Sequence, residues 1–487
     1  MKLWRALGSR PTMWLTIDGV VQQVSWLLLF LILAPILGPK PYGLFTIVMA
    51  FVGFCEMVIV KPTMESLVSV PVVTEGHLRT ANLVTVAGAV IATAVAFCAA
   101  VPIATIFESP ELKDLFELLA PLPLISALTA TPCALLARHM RFRILALRSI
   151  FAISLGAVVA IALAWRGAGV WALVAQAFVQ RCVELAILWA SAHTRLGFEW
   201  STDRFQELRR YGLSIVVSKC MYWAGSQIPR IILGWYLGPT DLGLFALGTR
   251  MVEAITQVFI VPRFGVARLT LQRFADAPAG FSEEFNLTIR QVAILCFPVC
   301  CGLAAVMPTL FAAFLDPRWT PGIFAAQIMV LTCIPATFYF CFTAAMLALR
   351  QPHLDAQIAI ATDSTTALAV ILAAPYGLYI ACIAMLAQRI VMMPGPLLML
   401  RRIANVSPIG VVWSQLPILA AAAVMGWVVT LAVPLAEKIP HPVWQLAALV
   451  FIGVIVYAPL ALVAAPDIIN RLFRQALHSM TTNMEPV

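Results

Sequence analysis

Charge is scarce in this chain. Only 11% of its 487 residues are Asp, Glu, Lys or Arg, against about 25% in a soluble globular protein, so most of its surface cannot face water. Long polar links are missing as well, which excludes a separate soluble domain between the apolar runs. No G-x-x-x-x-G-K-[ST] loop occurs, and with it goes ATP hydrolysis through a P-loop. H-E-x-x-H and G-x-S-x-G are absent, and all six histidines fall in links, tails or span edges. No C-x-x-C spacing organises the 11 cysteines, which sit in or beside apolar runs, so neither a zinc site nor a disulfide framework is expected. A membrane-embedded glycosyltransferase or polymerase would need acids or a sizeable catalytic loop outside the membrane, and the outer links are short. The chain reads as a non-enzyme with no metal and no cofactor.

What is abundant is hydrophobicity, at 62% of residues. Apolar runs of roughly 20 residues, each able to cross an apolar layer about 30 Å thick, recur from end to end. No run alternates as a membrane barrel strand would. Fourteen spans can be placed, from 15–36 and 42–61 at the start to 410–433 and 443–465 at the end. The fold class is an all-α polytopic membrane protein. The basic start, MKLWRALGSRP, resembles a signal-peptide n-region, but no small-residue cleavage site follows and it reads as leading into a retained first helix.

Lysine and arginine set the orientation. With the N-terminus in the cytoplasm, inner segments carry 22 of them and outer links only Lys40, Lys113, Arg166, Arg318 and Lys438. Both termini are then cytoplasmic. The net charge of +9 mostly reports this topology, and no soluble basic domain exists to hold a nucleic acid.

One turn is written twice. LGPKPYGLF at 37–45 and LGPTDLGLF at 237–245 agree at six of nine positions, at a spacing of 200. GVWALVAQAFVQR at 169–181 and GLYIACIAMLAQR at 377–389 share a glycine, an aromatic two residues later and a terminal Gln-Arg, at a spacing of 208. A six-helix unit is therefore repeated in parallel orientation. The expected organisation is an N-terminal lobe at 1–200, a second lobe at 201–404, two further helices at 405–466 and a cytoplasmic tail at 467–487. In that tail, RLFRQALHSM reads as a helix lying on the membrane surface. Parallel repeats about an axis along the membrane normal are a transporter device, with two lobes exposing a central site to each side in turn.

These motifs carry a family resemblance. LGP-x-x-x-GLF, the segment ALLARHMRFRILA, GAGVWALVAQ and DPRW before span 10 resemble the Wzx-type polysaccharide flippases over about residues 10–400. Multidrug and toxin extrusion transporters and lipid II flippases belong to the same superfamily. The resemblance implies two six-helix bundles around a central cavity in the bacterial inner membrane. Its implied cargo is a polyprenyl-diphosphate-linked oligosaccharide, moved from the cytoplasmic to the periplasmic leaflet, with polysaccharide polymerase and chain-length machinery as candidate partners beside the membrane lipids. Many relatives carry an acid just before the basic residue of span 7, where this chain has Pro229-Arg230, so ion coupling is not carried over to that position. The rival readings are a cation-coupled multidrug exporter on the same scaffold, a lipid II flippase, and the membrane-embedded glycosyltransferase or polymerase.

Charges inside the spans are the candidate site, because each costs about 2.5–3.5 kcal/mol at mid-bilayer unless it meets a cavity or a partner. The basic set is Arg181, Lys219, Arg230, Arg250 and Arg389; the acidic set is Asp18, Glu56, Glu184, Glu253 and Asp363. Arg181 with Glu184, and Arg250 with Glu253, are spaced to pair along one helix. Lys219, Arg230 and Arg389 have no acid within four residues, so their partners must be another helix, water or a ligand. Arg389 and Arg181, repeat mates, are the first candidates for gripping a diphosphate bidentately. Asp18, Glu56 and Asp363 are candidate proton or sodium sites, with interhelical ion pairing as their simpler role. The inner loop with Arg138, Arg141 and Arg143 suits anchoring to anionic lipid, or guiding an anionic substrate.

Overall fold

The computed structural model describes residues 11–192, 197–275, 277–466 and 468. The first ten residues and the whole of the expected surface-lying tail helix, RLFRQALHSM, lie outside them. Among the described residues the chain is helical with no strand. The helices, numbered in chain order, are α1 (Pro11–Leu37), α2 (Pro39–Ser69), α3 (Glu75–Ile106), α4 (Glu111–Arg138), α5 (Phe142–Trp165) and α6 (Trp171–Ala192). They continue with α7 (202–237), α8 (239–273), α9 (Pro278–Phe314), α10 (Gly322–Ala348), α11 (Pro352–Ala373), α12 (Leu378–Ala404), α13 (Pro408–Ala436) and α14 (Pro442–Ala464).

Among the described residues, thirteen apolar helical stretches are long enough to cross a membrane. One of them, Ile215–Gln272, is 58 residues long and contains a break at Gly238, so it makes two crossings and the total is the expected fourteen. Proline shapes several of them. α4 is broken into Glu111–Leu119, Leu122–Ala127 and Ala130–Arg138, with Pro121, Pro123 and Pro132 at the breaks, where a missing N–H interrupts the helical ladder.

Packing follows the membrane rule of small residues inward and large ones outward. α3 buries Ala81, Thr85, Ala89, Ala92, Ala96 and Ala100, and exposes Val90, Ile91, Val95, Phe97 and Val101. α13 brings Gly426 against the Cys301 backbone of α9, and this close approach is sealed by Val306, Met425, Val429 and Leu449.

Contacts divide the chain into two compact units. The first is Met1–Ala246 with Val370–Leu378, and the second is Leu247–Ala369 with Tyr379–Val487. The twice-written turn lies wholly in the first. Gly38 (φ 77, ψ 175) and Gly238 (φ 80, ψ 177) adopt the same extended left-handed conformation, open in practice to glycine alone. Each is followed by a proline that starts the next helix. The two turns also pack on one another reciprocally: a β-carbon at Gly43 would fall 1.6 Å from the Pro239 carbonyl oxygen, and one at Gly243 would fall 1.9 Å from that of Pro39. The sequence repeats because two matching surfaces meet there, and each needs a glycine to let the other's backbone in.

A third echo appears only in the backbone. Glu56–Val60 and Thr256–Ile260, again 200 residues apart, are single π-helical turns. Lys61 and Val261 donate their N–H groups five residues back, to Glu56 and Thr256, and each precedes a proline. Pro62 and Pro262 cannot complete the regular ladder, and the wider turn accommodates the loss.

Candidate functional site

Glu56 opens the π-turn of α2, and that turn aims it at α6. Its carboxylate receives Arg181 Nη2 at 2.7 Å, while Arg181 Nη1 meets Glu184 one turn along its own helix at 3.0 Å. Ser126 of α4 donates to Glu56 at 2.7 Å, and Gln180 donates to Glu184 at 3.1 Å. Asp18 of α1 lies beside Ser149 and Arg148 of α5 and within electrostatic reach of Glu184. Five helices of the first unit thus converge on one polar cluster. Arg181 is clamped between two carboxylates rather than presented as an open fork, and three acids face two bases. In a low-dielectric surrounding this mutual pairing is what makes the charges tolerable.

Its repeat mate is arranged differently. Arg389 of α12 has Asp363 of α11 and Tyr339 of α10 nearby, yet forms no ion pair among the described residues. The preceding glutamine is tied down instead: Gln388 accepts from Thr366 at 3.0 Å and donates to the Thr362 carbonyl at 3.2 Å and to Thr365 Oγ1 at 2.8 Å. The repeated Gln-Arg pair therefore does half of the same work in each unit. The glutamine is hydrogen-bonded within its unit and the arginine is sent into a polar cluster, but only Arg181 is fully neutralised.

The other candidates separate. Lys219 of α7 pairs with Glu65 of α2 at 2.9 Å, which supplies the interhelical partner that its own helix lacks. Arg250 pairs with Glu253 at 3.0 Å, as spaced, and Arg230 donates to Gln227 at 3.4 Å. Ser126 leaves no sign in the sequence, because serine is common and nothing local marks it. Arg148, which is absent from the intramembrane charges read from the sequence, lies in the second turn of α5.

Arg138 differs from its sequence reading. It donates to the carbonyls of Leu67, Val68, Val70 and Pro71, with 2.5 Å to Val70, and so caps the C-terminal end of α2. A guanidinium occupied by four carbonyls is a structural staple, not a lipid anchor. Arg143 lies 5.9 Å over the Trp14 ring. The DPRW motif is also structural: Asp316 accepts from the backbone N–H and the Nε of Arg318 at 2.9 and 2.8 Å, and Trp319 is fully buried.

The sequence profile of the polysaccharide biosynthesis protein family matches residues 32–323. The chain belongs to this family. Within the curated proteins it is similar to the succinoglycan biosynthesis transport protein ExoT of Rhizobium meliloti (strain 1021), 28% identical over 291 residues, 59% of this chain. The match spans 58% of that relative's length. Among solved structures, the lipid II flippase MurJ in an inward closed conformation aligns with a TM-score of 0.73 at 14% identity, over 95% of this chain and 100% of that one. An inward-facing multidrug resistance transporter of the MATE family aligns with a TM-score of 0.58 at 15% identity, over 82% of this chain and 95% of that one. At these identities the likeness is one of fold, and it extends over both six-helix repeats.

Proposed function

We propose that this protein is a flippase that carries a polyprenyl-diphosphate-linked oligosaccharide from the cytoplasmic to the periplasmic leaflet of a bacterial inner membrane, with both termini in the cytoplasm. The observation that carries the reading is the family match over residues 32–323, joined to the likeness to a transport protein of succinoglycan biosynthesis. The repeated helical architecture and the intramembrane arginines support it. No bond is made or broken in this process; the protein's task is to lower the cost of moving a charged head group through hydrocarbon.

The arginines give that task a mechanism. A diphosphate competes with Glu56 and Glu184 for the Arg181 fork; in the other unit Arg389, which forms no ion pair among the described residues, is a separate candidate for an anionic group. Release of the cargo returns Arg181 to the carboxylates, and a proton or sodium ion resets the cycle at Glu56, Asp18 or Asp363. Polysaccharide polymerase and chain-length machinery would act on the delivered units.

Deletion of the gene, complemented with wild type, Arg181→Ala or Arg389→Ala, tests the reading. Expected is loss of surface polysaccharide and build-up of lipid-linked repeat units in the deletion strain and in both variants, with each variant protein present in the membrane. Intact surface polysaccharide in the deletion strain would sink the proposal. Arrest of peptidoglycan synthesis, or drug sensitivity alone, would transfer it to the rival cargoes.

A further inference from the structure

Away from the arginine clusters, α2, α3 and the start of α7 enclose an apolar crevice of about 270 Å³. Val58, Ile59, Val84, Leu208 and Val216 wall it, and Gly88 and Gly212 give it width. Its polar side chains are already engaged. Thr63 donates to the Ile59 carbonyl at 2.9 Å, Ser66 to that of Pro62 at 2.6 Å and Thr85 to that of Ala81 at 2.6 Å. Water needs two to four polar partners to be held in a cavity, and these walls leave it few. Hydrocarbon needs none.

The rim supplies the second observation. Arg209 lines the crevice, is exposed and forms no ion pair among the described residues, whereas Arg204 on the same helix is spent on Glu207 at 3.1 Å. An unpaired guanidinium at the mouth of a dry apolar slot has the charge pattern of a phospholipid: chain within, phosphate at the edge. By the distribution of lysine and arginine, the start of α7 lies on the cytoplasmic side, where a polybasic surface meets anionic lipid.

We infer that the α2–α3–α7 crevice binds one acyl chain of an anionic phospholipid from the cytoplasmic leaflet, with its phosphate on Arg209. The lipid acts as a wedge between α7 and the α2–α3 pair, next to the π-turn that aims Glu56. This site stands apart from the arginine clusters, so it can fail while the flippase reading holds, and the reverse.

The test uses full-length protein in vesicles of phosphatidylethanolamine with a minor fraction of phosphatidylglycerol, part of it carrying a photoreactive group in mid-chain. Expected is cross-linking concentrated in peptides covering 58–66, 81–88 and 205–216. Val84→Trp should abolish it by filling the slot. Arg209→Glu, an exposed change that leaves the packing intact, should lower it about fivefold or more for phosphatidylglycerol and little for a phosphatidylcholine probe. Labelling spread evenly along the helices, or unchanged in Arg209→Glu, would overturn the assignment. Displacement by polyprenyl phosphate but not by unlabelled phosphatidylglycerol would also overturn it, by giving the crevice to the cargo's tail.

Discussion

Replacing Gly43 by alanine adds one methyl group at the place where the two repeated turns touch. Its carbon would fall 1.6 Å from the Pro239 oxygen and 2.5 Å from the carbonyl carbon. A carbon and an oxygen rest at roughly 3.3 Å, so the turns would have to part by about 1.7 Å. The obstacle is backbone at the start of a helix, which cannot rotate away as a side chain would. Overpacking of this kind costs about 1–3 kcal/mol. Gly265 is the internal control, since it is helical and a β-carbon there meets nothing within 4 Å. Gly265→Ala should be neutral or gain up to about 1 kcal/mol of helix propensity. Thermal denaturation of the purified proteins in detergent, followed by loss of the monodisperse species, should rank Gly43→Ala clearly below wild type and Gly265→Ala at or above it. Gly243→Ala should behave like Gly43→Ala, because its contact with Pro39 is 1.9 Å. The double variant should lose less than the sum of the two, since one separation relieves both clashes. A Gly43→Ala protein as stable as wild type, or full additivity in the pair, would refute the reciprocal contact.

The two repeat-mate arginines should differ in stability even where they agree in export. Arg181→Ala strands Glu56 and Glu184 and should destabilise by about 3–5 kcal/mol, while Arg389→Ala breaks no ion pair among the described residues and should cost much less; the same melts compare them. Arg138→Ala removes the staple on the end of α2 and should cost about 1–3 kcal/mol, with faster proteolysis between residues 68 and 74, whereas a lipid-anchor role would change membrane affinity and leave proteolysis alone. Outside the spans, the Glu207 carboxyl is held below its ordinary value of 4.5, first by the hydrogen bond from His77 at 2.8 Å. Thr74 supplies its backbone N–H and its hydroxyl to His77 Nδ1, which leaves Nε2 to donate to Glu207. A lowered carboxylate stabilises above its ordinary titration and loses that contribution as pH falls through the lowered value. The stability difference between wild type and Glu207→Gln should therefore be full near neutrality and be lost on acidification as the pH falls through the lowered carboxyl value; a difference that grows towards acid would contradict the assignment.

The helical crossings and their order were legible in the sequence. Length of apolar run responds to the bilayer, a solvent that acts on each segment separately. The turn repeat was legible too, because an extended left-handed backbone before a proline admits almost only glycine, and that demand is written residue by residue. The pairs Arg181–Glu184 and Arg250–Glu253 were visible for the same reason: three residues along a helix is a local distance. Which charges are spent on each other across helices was not local. Glu56 meets Arg181 because a π-turn of α2 re-aims it, Lys219 meets Glu65 across two helices, and Arg138 was read as a surface charge until four carbonyls closed on it. Tertiary structure alone decided these, since a buried charge takes the partner that packing brings within hydrogen-bond reach, and that distance depends on every helix between them.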